Sequence, residues 1–192
     1  MDQVNRRMGG TFDRSLRAAW ILFAMLTVPV LPSAAQIRAR LSEYDVKAAF
    51  LLNFTRFVTW PAAAFAGANS PFAICILGDD PFGSGFDQLV SGETVDGRKV
   101  TVERLKTPPQ PKTCQILFIG DTDKDLPALL EGLGTGVLTV GEQPGFLRAG
   151  GIIKFDVEDR RVRFDINRRA AAHASLTLSA RLLGVARKVV KE

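Results

Sequence analysis

Four acids stand where carboxylates could gather around a cation or a small polar ligand. Leu77-Gly78-Asp79, Ile119-Gly120-Asp121 and Val140-Gly141-Glu142 each close a short apolar run with glycine and then an acid, and Asp80 follows Asp79 directly. Carboxylate oxygens are what hard cations take as ligands, so convergence of Asp79, Asp80, Asp121 and Glu142 would build such a site. A plainer use competes. Asp80 before Pro81 has the form of a helix N-cap with proline at the first helical position, and Thr122-Asp123-Lys124-Asp125 is close to a capping box. Capping is the commoner fate of such acids.

A second group lies earlier. Asn53 falls on the apolar stripe of an expected helix, where a buried amide must find hydrogen-bond partners. It either fastens that helix to a backbone segment or forms one wall of a pocket with Arg56 and Trp60. No catalytic constellation accompanies these residues. His173, the single histidine, sits in Ala170-Ala171-Ala172-His173-Ala174 and reads as an exposed residue rather than part of a Ser–His–Asp relay. Gly132-Leu133-Gly134-Thr135-Gly136 lacks the dinucleotide-loop spacing and precedes a strand, so it reads as a helix-ending turn. A G-x-x-x-x-G-K-[ST] loop is absent. Two cysteines and one histidine also exclude most zinc, iron–sulfur and haem architectures. The expectation is a protein without catalytic residues, metal or cofactor.

The elements that must position these residues follow from periodicity. Glu43 to Val58 reads as a helix presenting Val46, Phe50, Asn53/Phe54 and Phe57 to the core. Short apolar strands over Phe72–Leu77, Ile116–Ile119 and Val137–Val140, with an alternating strand over Lys99–Leu105, are separated by helices near Pro81–Val90 and Asp123–Leu133. Strands buried on both faces demand a mostly parallel sheet between two helical layers. The three Gly-acid turns then lie at the carboxyl edge, where doubly wound sheets bind ligands. Gly151–Glu158 and Arg161–Ile166 read as an antiparallel hairpin turning at Asp159-Arg160. Its register pairs Val157–Val162, Phe155–Phe164 and Ile153–Ile166 on one face, with Glu158–Arg161, Asp156–Arg163 and Lys154–Asp165 on the other. A last helix is expected over Ser175–Val190, with Leu178, Leu182, Val185 and Val189 inward. The fold class is therefore α/β: a single three-layer α/β/α domain with a C-terminal antiparallel hairpin.

At 192 residues, 46% hydrophobic and 23% charged, the chain has the balance of one globular domain. Residues 1–35 read as an export signal: Arg6, Arg7, Arg14 and Arg17, then the uncharged run Ala18 to Leu31, then Pro32-Ser33-Ala34-Ala35, with cleavage expected after Ala35. That leaves 36–192 as the mature domain, periplasmic and without a stable membrane insertion. Charge is unevenly spread, net −4 over 36–159 and net +7 over 160–192. Such asymmetry suits an acidic partner as well as a solvated face; no nucleic-acid motif accompanies it. In an oxidising compartment Cys75 and Cys114 favour a disulfide. Aligned Gly-acid turns, however, set Cys75 opposite Leu117. A bridge then needs either a three-residue shift of the third strand or a Cys114 that precedes its strand.

Lys47-Ala48-Ala49-Phe50-Leu51-Leu52-Asn53-Phe54 with Phe57 and Trp60-Pro61 resembles the opening signature of YfiR-like proteins. Ile76-Leu77-Gly78-Asp79-Asp80-Pro81-Phe82-Gly83, Cys114-Gln115-Ile116-Leu117-Phe118-Ile119, Leu138-Thr139-Val140-Gly141-Glu142 and Gly150-Gly151-Ile152-Ile153-Lys154-Phe155 continue the resemblance in order, over about Tyr44 to Val189. It implies a periplasmic, non-enzymatic α/β regulator. Relatives restrain a membrane-anchored diguanylate cyclase through its periplasmic region, lower cyclic-di-GMP and biofilm formation, and form dimers. Cys75 and Cys114 match a disulfide position of that family, whereas the second cysteine pair of some relatives is missing. Two alternatives stand beside it on the residues themselves. One is a small-ligand sensor module, partnering a sensor kinase or outer-membrane receptor and using the carboxyl-edge acids with Asn53, Arg56 and Trp60. The other, a hydrolase built on Asp79 and Asp80, ranks last.

Overall fold

The computed structural model describes residues 34–121 and 125–190. The leader up to Ser33 and the Thr122–Lys124 part of the expected capping box lie outside the described residues. In chain order the elements are α1 (Ala34–Phe57), β1 (Val58–Thr59), a 3-10 turn (Ala62–Ala64), β2 (Phe72–Leu77), α2 (Ser84–Val90), β3 (Thr94–Val95), β4 (Arg98–Leu105), β5 (Ile116–Ile119), α3 (Leu126–Gly132), β6 (Leu138–Gly141), β7 (Ile153–Glu158), β8 (Arg161–Asn167), α4 (Arg168–His173), β9 (Thr177–Leu178), α5 (Ala180–Val185) and β10 (Lys188–Val190).

The central sheet runs β10-β8-β7-β6-β5-β2-β4-β3. Its middle, β7-β6-β5-β2-β4, is parallel, and β3 and the β7–β8 hairpin add antiparallel pairs. Alternate strand residues feed two cores. Phe72, Ile74, Ile76, Phe118, Val140, Phe155 and Phe164 pack with α1, α2, α4 and α5. Ala73, Cys75, Leu77, Leu117 and Ile119 point the other way, toward α3, Cys114 and Phe146. The three-layer α/β architecture is as expected. So is the hairpin register, in which Ile153, Phe155 and Val157 face Ile166, Phe164 and Val162. Asp159 and Arg160 both take positive φ, 49° and 60°, to turn the hairpin without a glycine.

Three expectations are corrected. First, α1 buries Lys47, Ala48, Leu51, Leu52, Phe54 and Thr55, and Asn53 is exposed. The helix is rotated so that its leucine side meets the sheet; Phe50 and Phe57 lie at the margin and Val46 is 42% exposed. Second, the last helix shrinks to α5. Ser175 (φ 58°) breaks the chain after α4, β9 pairs with β1, and Ser179 Oγ caps α5 by accepting from Leu182 N at 3.2 Å. Val189 and Val190 then join β8 as a parallel strand, the β-branched preference winning over a helical spacing. Leu182 alone of the expected stripe is buried, and Val185 is 61% exposed. Third, the hairpin's charged residues stand opposite one another as expected, yet they form no direct ion pair across it. Arg187 donates to Asp165 at 2.7 and 2.9 Å and to Asp156 at 2.6 Å, and Lys154 pairs with Asp156 on its own strand. Both arginine contacts thereby fasten the C-terminal segment to the hairpin.

Candidate functional site

Because β6, β5 and β2 are neighbours, Glu142, Asp121 and Asp79 stand at adjacent carboxyl ends. The connection after β2 crosses through α2 on one face and that after β5 through α3 on the other. The β2/β5 boundary is therefore the switch point where ligands enter doubly wound sheets. Here it is closed by main chain. Gly120 N donates to Leu77 O at 2.9 Å, and Asp79 N to Asp121 O at 3.2 Å. A Cβ on Gly120 would overlap Asp79 O. Gln143 Nε2 adds bonds to Ile119 O (3.0 Å) and Gly120 O (2.6 Å).

The acids disperse from this edge. Asp79 and Asp121 are exposed. Asp80 Oδ1 accepts from Phe82 N (2.8 Å) and Gly83 N (3.2 Å), and its Oδ2 from Arg104 Nε at 2.6 Å. It thus closes a turn ahead of α2, whose N-cap is Gly83 at φ 58°, and Pro81 is not the first helical residue. Arg104 also grips Asp87 at 2.7 and 3.0 Å. Its hydrogen bonds hold the Asp87 carboxyl below the usual carboxylate range and raise the guanidinium's own pKa. Among the described residues no group of three or more His, Cys, Asp or Glu side chains is placed to hold a metal.

Glu142 turns inward to an arrangement that sequence reasoning missed. Lys47, 2% exposed, pairs with Glu43 one helical turn back and with Glu142 Oε1 at 3.0 Å. Its ammonium lies 4.4 Å from the Tyr44 ring centroid, and Tyr44 OH donates to Glu142 Oε2 at 3.3 Å. Burial opposes the charge on Lys47, yet the two carboxylates outweigh it and its pKa is raised. A lysine so held stays an ammonium; it is a strut between α1 and the carboxyl edge of β6 rather than a nucleophile or base. The available signal was Glu43 four residues before a lysine that shares the leucine face.

Asn53, Arg56 and Trp60 have separate surroundings, and Asn53 is exposed. Arg56 reaches Glu93 at the surface at 3.1 Å. Trp60 is half-buried, its ring edge-on to Phe72 at 4.8 Å, and its Nε1 donates to Gln115 O at 3.0 Å. Gln115 is a second buried polar node: its Oε1 accepts from Ala73 N and its Nε2 donates to Ala64 O, both at 2.8 Å. Beside it Cys75 and Cys114 form a disulfide, Cα–Cα 5.9 Å. Cys75 does lie opposite Leu117, and the bridge exists because Cys114 precedes β5.

A cleft of about 830 Å³ opens elsewhere, between α3, residues 147–150 and α4. Leu130, Leu133, Val137 and Ile152 line it, with Arg148, Arg169, His173 and Glu131, all exposed, around them. None of the sequence-selected site residues borders it. No helix among the described residues is long and apolar enough to cross a membrane.

A family model described as YfiR/HmsC-like matches residues 44–187 of this chain. No curated protein matches it. Proteins of that family are periplasmic, regulatory and non-catalytic, and act with a membrane signalling partner.

Proposed function

This chain belongs to the YfiR/HmsC-like family, and on that footing we propose that it is an exported, non-enzymatic regulator. It binds the periplasmic region of a membrane-anchored diguanylate cyclase and restrains it, lowering cyclic-di-GMP. The family match over residues 44–187 carries this reading. The arginine-led apolar leader supports export. The closed β2/β5 edge supports action by contact, since the crevice that would seat a small ligand is filled by Asp79 and Gly120 backbone. The exposed residues Asn53, Arg56, Asp79 and Asp121 are available to a partner, and self-association as a dimer belongs to the same proposal.

The experiment is a binding titration. Protein purified from the periplasm is titrated with the periplasmic region of each inner-membrane diguanylate cyclase of the host. Micromolar or tighter binding to one of them is expected; binding to none of them defeats the proposal. Light scattering on the same material reads the dimer.

A further inference from the structure

Resting on that reading, we propose that the cleft between α3 and α4 is the docking groove for the partner, and that it takes an acidic segment carrying apolar side chains. Charge is the first argument. Arg148 and Arg169 line the cleft without an ion-pair partner among the described residues, as do Arg160, Arg161, Arg163, Arg168 and Arg181 outside it, whereas Arg56, Arg104 and Arg187 are each paired with acids of the fold. Glu131 is the single acid on the cleft's lining. The α4 side of the cleft belongs to the 160–192 segment of net +7. Unspent cations around a groove draw in and orient an acidic partner.

The floor is the second argument. Half-buried Leu130 and Leu147 give it apolar surface, over the buried Leu133, Val137 and Ile152. Its two buried polar side chains already serve the fold: Thr139 Oγ1 accepts from Ile152 N at 3.0 Å, while Asn167 accepts from Ala170 N at 2.9 Å and donates to Leu147 O at 3.0 Å. A small polar metabolite needs convergent hydrogen-bonding groups to orient it. An apolar floor within a cationic rim instead matches side chains of a polypeptide flanked by Asp or Glu, the rim setting approach and the floor setting retention.

The test uses protein purified from the periplasm, with the periplasmic region of the host cyclase that it binds as probe. R148E combined with R169E reverses two exposed charges and leaves the melting temperature unchanged. We expect it to weaken binding at least tenfold and to flatten its salt dependence, while K99E, on β4, leaves affinity as it was. Unchanged affinity in R148E/R169E overturns the groove and leaves the proposed function standing; if no cyclase region binds at all, both fall. Two further results reassign the cleft and overturn the proposal. One is a change of oligomeric state in R148E/R169E, which gives it to a second copy of this chain. The other is displacement of the probe by millimolar inorganic phosphate at fixed ionic strength, which gives it to a small anion.

Discussion

Replacing Lys47 by methionine keeps the length of the side chain and removes the cation between Glu43 and Glu142. Lys47 is 2% exposed, and the two carboxylate side chains are 30% and 29% exposed. Glu142 Oε1 is buried without a well-formed hydrogen bond, so the ammonium is what compensates it. Removing one partner of a fully buried ion pair costs about 3–5 kcal/mol. The partial water contact of both acids lowers that, and we expect about 2–3 kcal/mol. For a domain of this size each kcal/mol moves the midpoint by about 2–4 °C, so Tm should fall by about 4–12 °C. Urea unfolding followed by circular dichroism, with an unchanged m-value, reads the loss directly. E142Q and the double variant K47M/E142Q complete a cycle whose coupling should reach about 1 kcal/mol. The raised pKa of Lys47 adds a pH signature. Its stabilisation is complete below the ordinary lysine value of about 10.4 and is lost as pH rises through the higher folded value, a limb K47M should lack. A loss under about 0.5 kcal/mol together with no coupling to E142Q would refute the strut.

The remaining predictions concern the other ties of the fold. Cys75→Ala with Cys114→Ala, or reduction, should cost up to about 4 kcal/mol for a 39-residue separation in the chain-entropy model, read by urea unfolding with and without dithiothreitol; two alkylatable thiols in native, unreduced protein would show that the bridge does not form. Asp87 and Asp156 are both held below the usual carboxylate range, first by hydrogen bonds from Arg104 and Arg187. Their stabilisation is present above about pH 3.9 and lost as pH falls through the lowered values, so R104Q and R187Q should flatten the shallow decline in Tm between roughly pH 5 and pH 2. Gly120→Ala should destabilise by about 1–3 kcal/mol, because its Cβ would overlap Asp79 O; wild-type stability in that variant would mean the switch-point crevice is open.

Strands were legible where the pattern left one solution. Phe72–Leu77 and Ile116–Ile119 are continuous apolar runs, and a one-residue slip of the hairpin would carry the apolar residues of one strand off the face they share with the other. The rotation of α1 was not legible in that way. Its phenylalanines and its leucines offer two overlapping stripes, and packing buried the leucines together with Phe54, left Phe50 and Phe57 at the margin, and carried Asn53 to the surface and Lys47 inside. Spacing of Leu178, Leu182, Val185 and Val189 fits a helix, but it cannot show that Val189 and Val190 have an open strand edge at β8 to join. The grip of Arg187 was not legible for a related reason: Asp156 and Asp165 come from strands that only the folded sheet sets beside it. The cleft draws on α3, β6, residues 147–152 and α4, segments with no shared sequence signature. Composition and motif could exclude familiar active sites, yet they could not locate a surface that exists only after four separate segments meet.

Cyclic-di-GMP measured by mass spectrometry in a strain that expresses this protein, in its clean deletion and in the complemented deletion tests the regulatory reading most directly. The account predicts a rise on deletion that complementation reverses and that disappears when the bound cyclase is also deleted. Equal cyclic-di-GMP in all three strains, with the protein present in the first and third, would contradict it.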